Sequence, residues 1–244
     1  MKQSIKQWLR RAGIAAVSAE HQGVRYIDRV PRTALESVIF RLFPDLIGLV
    51  FIQVGANDGQ RVDPIHHFVK RHQWSGVLVE PVPELFRALT KTYSCNSRLQ
   101  LVQAAVDLQS GQRPIFHLRT DLSRPLPDWA WGLATFDLNQ LRGTIRQLGL
   151  TDEAITSTEV ATITWSALWE RVPSKRCDVL VVDTEGYDVT LLRGAELATR
   201  RPRVVHFEHA LISLTDRLSF YQELMSAGYE IATDGPDTTA WLHE

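Results

Sequence analysis

The chain has few cysteines, no long apolar run and almost no net charge. Its two cysteines, Cys95 and Cys177, lie far apart, and neither belongs to a CxxC motif or a Cys/His cluster. This spacing argues against a zinc site and against a disulfide framework. No run approaches the roughly 18 apolar residues of a membrane span. The formal net charge of −1 provides no field that would attract nucleic acid or anionic lipid. We therefore expect a soluble protein that binds neither nucleic acid nor a membrane.

The N-terminal segment only partly imitates an export signal. Arg10 and Arg11 precede the apolar residues 12–17, and this run is shorter than the usual apolar region of a signal peptide. The polar residues 18–21 follow it at once. We therefore expect a cytoplasmic protein rather than an exported one.

The length and composition predict one main domain with a small appendage. A chain of 244 residues with 44% hydrophobic content can bury a substantial core. Residues 1–48 have a helical pattern and are predicted to form a cap, whereas residues 49–244 form the main domain. Apolar residues share one face in each cap helix: Ile5, Trp8 and Leu9 in the first, and Leu35, Val38, Ile39 and Leu42 in the second. The cap either packs on the sheet edge or serves as a lid or an oligomer contact.

Strand and helix patterns alternate along the main domain. Strands are predicted at residues 51–54, 77–80, 99–106, 159–165, 178–183 and 204–208, with an antiparallel return at 115–118 and a terminal hairpin at 229–232 and 239–242. Helices are predicted to begin at Asp63-Pro64 and to cover 137–148 and 220–225, whereas 119–136 is irregular. This order predicts an α/β fold with a mostly parallel, doubly wound sheet. Its ligand should lie outside the carboxyl ends of the strands.

A glycine loop and a distal acid indicate a ligand that carries adenosine. Gly55 and Gly59 follow a buried strand and bracket Asn57 and Asp58, and Glu80 ends the next strand about 20 residues later, the spacing of a ribose-binding acid. A dinucleotide would place its pyrophosphate near Asp58, where a negative charge is electrostatically wrong. S-adenosylmethionine has no phosphate and carries a sulfonium and an ammonium group. The loop therefore favours S-adenosylmethionine over NAD.

The sequence resembles the FkbM-type S-adenosylmethionine-dependent methyltransferases. The matching motifs follow one another in the family's order over roughly residues 50–210, and they are FIQVGANDG at 51–59, DP at 63–64, WSGVLVEP at 74–81, AAV at 104–106, VDTEGYD at 182–188 and LLRGA at 191–195. The resemblance implies a Rossmann-like class I methyltransferase fold with a seven-stranded sheet. It also implies methylation of hydroxyl groups on sugars or polyketide-like metabolites, with S-adenosylhomocysteine as the product. Gln53 departs from the broader class, in which an acid often stands at this position.

The resemblance also implies roles for individual cofactor residues. Gly55, Asn57 and Gly59 would form the cofactor loop, and Asp58 would contact the amino-acid end of the cofactor. Glu80 would bind the ribose hydroxyls, with Pro81 beside the adenine and Ala105 and Val106 flanking its ring. Asp183 would lie near the methionine portion and the transferring methyl group.

Catalysis requires a group that accepts the proton of the acceptor hydroxyl, because a neutral alcohol is a poor nucleophile. Asp183, Glu208 and His209 are the leading candidates for the catalytic site. Glu185, His206 and two aromatic residues of the irregular segment, Trp129 and Trp131, are candidates for binding the acceptor. A divalent cation held by Asp183, Glu185 and Glu208 is conceivable, but the sequence does not favour a metal.

Two further functions stay open on the sequence alone. The methyl group could pass to nitrogen or to a carboxylate, or the chain could be a catalytically silent binding protein with the same fold. The near-neutral charge and the absence of a base-flipping N/D-P-P-Y/F motif disfavour a nucleic-acid methyltransferase. We therefore expect an O-methyltransferase that acts on a saccharide or another hydroxylated small molecule.

Overall fold

Strands and helices alternate along most of the chain in the computed structural model, which describes residues 31–172 and 176–243. The strands are β1 (Val50–Val54), β2 (Ser75–Val79), β3 (Leu99–Val102), β4 (Ala105–Val106), β5 (Gly111–Leu118), β6 (Ala134–Thr135), β7 (Ile155–Ile163), β8 (Val179–Val182), β9 (Val204–Glu208), β10 (Tyr229–Asp234) and β11 (Asp237–Leu242). The α-helices are α1 (Ala34–Leu42), α2 (His66–Arg71), α3 (Pro83–Thr92), α4 (Leu138–Gln147), α5 (Trp165–Trp169), α6 (Asp188–Gly194), α7 (Leu197–Arg200) and α8 (Leu214–Ser226). Two 3-10 helices cover Asp128–Gly132 and Asp152–Ala154.

The main sheet has seven strands in the order β10-β11-β9-β8-β1-β2-β3. Its strands are parallel except β11, which runs antiparallel to β9 and to β10. The predicted seven-stranded sheet with a terminal hairpin is therefore confirmed, and the sheet is mixed because of β11. The chain leaves β1 toward β2 and β3 and then returns to β8 on the other side of β1. A ligand crevice is expected at such a switch point, outside the carboxyl ends of β1 and β8.

The sequence did not predict a second sheet, whose four strands follow the order β4-β7-β5-β6. The predicted single strand at 99–106 breaks at residues 103–104, because β4 turns away from the main sheet to pair with β7. The predicted antiparallel return strand begins earlier than predicted, at Gly111, and pairs antiparallel with β7 and β6. Strand β7 also begins before its predicted start, at Ile155, in a segment of alternating serine, threonine and glutamate that buries little of its surface.

The faces of the main sheet carry separate hydrophobic clusters, in keeping with strands that are apolar on both sides. One cluster contains Trp165, Trp169, Phe207 and Phe220 beside the sheet residues. The opposite cluster contains Phe51 and Trp74 and includes the apolar face of α1. Most of the strands that hold the crevice are therefore fixed by packing on both faces.

Helix α1 packs on the part of the sheet formed by β9, β10 and β11. The Thr33 hydroxyl caps the start of the helix by accepting a hydrogen bond from the Glu36 amide, and the Glu36 side chain accepts one from the Arg32 amide just before the cap. The predicted apolar face is buried at Leu35, Val38, Ile39 and Leu42. The other cap residues named from the sequence, Ile5, Trp8 and Leu9, lie outside the described residues. Among the described helices, none is long and apolar enough to cross a membrane.

Candidate active site

A cavity of about 560 Å³ lies at the carboxyl ends of β1, β2, β8 and β9. Residues from the switch point of the main sheet form its floor, and residues of the second sheet and of the 3-10 helix at Asp128–Gly132 form its wall. The volume is in the range of small-molecule sites. The cavity therefore occupies the position that the topology predicts for a ligand.

Gly55 directly follows β1, at a point where its backbone closely approaches the backbone of Asp183. Its φ is +80°, and a Cβ atom added to it would overlap the backbone carbonyl of Asp183. The amides of Gly55 and Ala56 both donate to the Val79 carbonyl at 3.0 Å, which ties the loop to β2. Only glycine satisfies both the positive φ and the close approach at this position.

We expect Gly55→Ala to lower the free energy of unfolding by roughly 2–5 kcal/mol, because it combines left-handed strain with overpacking. Gly143 provides a matched control: it is exposed within α4 and has no neighbour within 4 Å of an added Cβ atom. Gly143→Ala should raise the free energy of unfolding by about 0.5–1 kcal/mol. Urea unfolding of both variants measures the two effects, and a Gly55→Ala variant as stable as the wild type would contradict the close approach.

Glu80 is buried directly after β2, and its carboxylate is hydrogen-bonded to the backbone of the glycine loop. Its Oε2 atom accepts a hydrogen bond from the Asn57 amide at 2.9 Å, and its Oε1 atom accepts one from the Val82 amide at 2.8 Å. A carboxylate has about four acceptor positions, so one position remains on each oxygen. Burial, opposed by these two hydrogen bonds, raises the pKa of Glu80 to about 7, and the charge of Asp183 adds to the increase. The free acceptor positions fit a pair of ribose hydroxyls.

The structure distributes the other predicted cofactor residues unevenly. Asn57, Pro81, Ala105 and Val106 line the cavity. Asp58 does not line it, because its Oδ1 atom accepts from the amides of Gln60 and Arg61 and its Oδ2 atom pairs with the Arg61 guanidinium at 3.2 Å. Gly59 is also outside the lining and faces α3, where an added Cβ atom would press on Leu89 and Tyr93.

Four carboxylate residues line the opposite side of the cavity: Asp183, Glu185, Glu208 and Asp237. Asp183 follows β8, and part of its surface is open to the cavity. Desolvation by the protein atoms around it, together with the charges of Asp237 and Asp63, raises its pKa to about 6. Burial and the charges of Asp183 and Asp237 raise the pKa of Glu208 to about 7. This half of the cavity therefore holds proton acceptors that titrate near neutral pH.

Hydrogen bonds from two directions fix the turn after Asp183: those to the Asp188 carboxylate and those to the Glu185 carbonyl. Asp188 is fully buried, and its carboxylate accepts from the Thr184 hydroxyl at 3.1 Å and from the Gly186 amide at 3.2 Å. The carbonyl of Glu185, a residue with a φ of +53°, accepts from the Thr135 hydroxyl and from the Gln140 side chain. These contacts couple the acidic turn to β6 of the second sheet and to α4.

The two predicted site histidines face different surroundings. His206 lines the cavity, contacts the Thr239 hydroxyl at 3.0 Å through Nδ1, and has its pKa lowered to about 4 by burial. His209 is not in the lining, and its Nδ1 atom lies 2.9 Å from the Thr238 hydroxyl. The geometry therefore brings Asp183 and Glu208 to the cavity and leaves His209 outside it.

The aromatic residues of the irregular segment are similarly divided. Trp129 lines the cavity and is 45% exposed, so its ring is available for stacking. Trp131 is outside the lining. Gly132 ends the same 3-10 helix beside the side-chain amide of Asn57, and this contact leaves no room for a Cβ atom. The wall that carries Trp129 thus rests directly on the glycine loop.

Several lining residues were not predicted as site residues from the sequence. Asp237 belongs to the terminal hairpin, and no local pattern distinguishes it from a surface residue. The sequence predicts a helix start at Asp63, and its Oδ1 atom does accept from the amides of Ile65 and His66, although the helix itself begins at His66. Gln53 also lines the cavity, although its side chain departs from the acid that the broader class often has at this position. Within the described ranges, no three His, Cys, Asp or Glu side chains converge as a metal site.

We expect stability to fall as the pH rises from about 5 to 8. The pKa of Glu80 in the folded chain is about 7 against an ordinary 4.5, so its stabilising effect is complete below pH 4.5 and is lost as the pH rises through 7. The loss is roughly 3 kcal/mol for this residue. His206, with its lowered pKa, acts in the opposite sense as the pH falls below 6.5. Urea unfolding at about pH 5 and pH 8 should show a larger fall in the free energy of unfolding for the wild type than for Glu80→Gln, which retains His206. Equal falls in the two proteins would contradict the raised pKa of Glu80.

Comparison with known proteins identifies the family of this chain. A family model described as the methyltransferase FkbM domain matches residues 53–231. A search of curated proteins found no match. Among solved structures, the FkbM methyltransferase from Methylobacillus flagellatus KT shares 11% identity, with coverage of 80% of this chain and 43% of that chain, at a TM-score of 0.50. The described chain thus spans less than half of that protein.

Two other solved structures match with lower scores. The METTL16 MTase domain shares 10% identity over 85% of this chain and 64% of that chain, at a TM-score of 0.45. The precorrin-6y C5,15-methyltransferase from Geobacter metallireducens GS-15 shares 12% identity, with coverage of 92% of this chain and 93% of that chain, at a TM-score of 0.41. The evidence for the family is the match to the family model, which covers residues 53–231 and thus most of the chain. The chain belongs to the FkbM methyltransferase domain family.

Proposed function

We propose that this protein transfers a methyl group from S-adenosylmethionine to a hydroxyl of a saccharide or of another small hydroxylated metabolite. The observation that carries the proposal is the position of Glu80, whose buried carboxylate is fixed by two backbone amides and keeps one acceptor position free on each oxygen. Pro81, Ala105 and Val106 provide apolar surface in the same cavity for an adenine ring. Together these residues fit the adenosine part of the cofactor.

The residues opposite Glu80 suit the activation of a hydroxyl group. S-adenosylmethionine, when bound, supplies an electrophilic methyl carbon. Glu208 is the best placed proton acceptor, because it faces the cavity and its pKa of about 7 matches the pH at which a general base is most effective. Asp183 lies on the same face of the sheet, since Val181 is in register with His206 and each acid follows two residues later. We assign Glu208 to proton removal and Asp183 to orienting the acceptor.

The charge of the cavity favours a hydroxyl over a carboxylate acceptor. A carboxylate would bring another negative charge toward Asp183, Glu208 and Asp237, where the charge of Asp237 already raises the pKa of Asp183 and the charges of Asp183 and Asp237 raise that of Glu208. Neutral hydroxyls can instead donate hydrogen bonds to these groups. The accessible ring of Trp129 offers a face on which a sugar ring can stack. The chain's net charge of −1 also favours small molecules or glycans over nucleic acid.

The proposal is tested by incubating the protein with methyl-labelled S-adenosylmethionine and a panel of neutral saccharides, uronic acids and amino sugars. We expect label in neutral saccharides, in a bond that survives mild base, as a methyl ether does. Label that mild base releases would identify a methyl ester and contradict O-transfer to a hydroxyl. Label confined to amines would favour N-methylation. The cytoplasmic location and an oligomer contact through the N-terminal helices remain parts of the same proposal.

A further inference from the structure

Three apolar side chains that line the cavity are also exposed to solvent. They are Val62, Trp129 and Leu211, with exposed fractions of 71%, 45% and 38%. Eight large hydrophobic side chains are exposed among the described residues, and these three come from separate segments of the chain that share only the cavity. Single exposed apolar residues are ordinary, whereas several that line one cavity indicate a ligand with an apolar surface.

Val62 is fixed in its exposed position by the loop that carries it. Its φ is +51°, a left-handed conformation that is unusual for a β-branched side chain. The residues on both sides are anchored, because Arg61 pairs with Asp58 at 3.2 Å and Asp63 accepts a hydrogen bond from the Ile65 amide at 2.8 Å. Strained backbone at a cavity is typical of a ligand-binding site. Val62 therefore presents a fixed apolar surface to the cavity.

Leu211 follows the proposed general base, Glu208, by three residues. Two hydrogen bonds fix the turn between them: the Ile212 amide donates to the His209 carbonyl at 3.1 Å, and the His209 amide donates to the Pro236 carbonyl at 2.8 Å. Leu211 and Glu208 both line the cavity. An acceptor whose hydroxyl reaches Glu208 therefore passes near the Leu211 side chain.

The cofactor and a sugar do not account for Val62 and Leu211. The adenine ring has its own apolar surface at Pro81 and Ala105, and a sugar ring can stack on Trp129. A sugar without an apolar substituent would thus leave both aliphatic side chains in water. We propose that the acceptor is an amphiphile, a glycoside whose sugar hydroxyl reaches the general base and whose apolar aglycone packs on Val62 and Leu211. This inference rests on the proposed function.

The test measures transfer of labelled methyl groups to the methyl, octyl and phenyl glycosides of glucose, galactose and mannose, below the concentration at which octyl glycosides form micelles. Each methylene that leaves water tightens binding by up to about fourfold, so the KM of the octyl glycoside should be at least about 10-fold below that of the methyl glycoside. The kcat should be similar, because the aglycone is bound equally in the ground state and the transition state. The phenyl glycoside distinguishes a flat aglycone from an alkyl chain.

Two variants assign the preference to the proposed residues. Leu211→Ser and Val62→Ser should each reduce the ratio of the two KM values several-fold, because a hydroxymethyl side chain offers little apolar surface. Ile47→Ser is the matched control: Ile47 is 59% exposed, like the two test residues, but it does not line the cavity. This control should retain the wild-type ratio. Thermal unfolding checks that all three variants fold.

The outcomes separate this inference from the proposed function. No transfer to any glycoside or free saccharide would overturn both. Transfer with equal KM values for all three glycosides, or a preference that Leu211→Ser and Val62→Ser both retain, would overturn the amphiphilic acceptor while the proposed function stands. Equal KM values together with binding to phosphatidylcholine vesicles that Leu211→Ser abolishes would assign the exposed side chains to a membrane surface and likewise overturn the inference.

Discussion

Replacement of Glu208 by glutamine is expected to lower kcat by about 100- to 10,000-fold, the range for removal of a general base. Glutamine keeps the shape of the side chain at the end of β9 but cannot accept the proton of the acceptor hydroxyl. The cofactor affinity should change little, since Glu80 and the glycine loop remain intact. Initial rates with a saturating acceptor, together with a cofactor titration, separate the two effects.

The pH profile distinguishes a base from a binding residue. Because the pKa of Glu208 is about 7, the wild-type kcat should rise with pH and level off above neutrality, whereas the residual rate of Glu208→Gln should lack this step. Glu230→Gln serves as a control, because Glu230 is exposed on β10 and lies in an ion pair with His243. Wild-type turnover in Glu208→Gln would exclude this residue as the base. Loss of the pH step in Asp183→Asn alone would transfer the role to Asp183.

Replacement of Glu80 by alanine is expected to weaken S-adenosylmethionine binding by at least about 100-fold, because two hydrogen bonds to a charged acceptor are lost at about 1.5–3 kcal/mol each. The same change removes the carboxylate that accepts hydrogen bonds from the Asn57 and Val82 amides. The glycine loop therefore also loses the hydrogen bond that fixes it to Glu80. Both effects act on the cofactor half of the cavity.

Glu84 provides the matched control for this second variant. It lies on α3 in an ion pair with Arg87, with 41% of its side chain exposed, and it does not line the cavity. Glu84→Ala should therefore bind the cofactor as the wild type does. A Glu80→Ala variant that folds and binds with undiminished affinity would contradict the assignment of the ribose site.

The sequence predicted the cofactor half of the site because its signals are local. The strand at Val50–Val54, the glycines after it and the acid after β2 are close in sequence, and the structure joins them by direct contacts: Gly55 against Asp183, and Glu80 to the Asn57 amide. Buried parallel strands also read as apolar runs, so the seven strands of the main sheet were all foreseen.

The acceptor half was less predictable because long-range contacts build it. The second sheet depends on β7, whose serine and threonine residues show little apolar periodicity, and on a break at residues 103–104 that follows from pairing rather than from a local turn signal. Asp237 reaches the cavity only because β11 pairs with β9 and places it beside Glu208. The orientation of Asp58 toward its own loop likewise depends on side-chain geometry that spacing does not reveal.

Calorimetric titration of the wild-type protein with S-adenosylmethionine tests the central claim most directly, with NAD titrated in parallel. We predict one site per chain with a Kd in the micromolar range, about −8 kcal/mol, and no binding of NAD. Binding of NAD with no binding of S-adenosylmethionine, whether or not a saccharide is present, would contradict the account and leave the family relationship as one of fold alone.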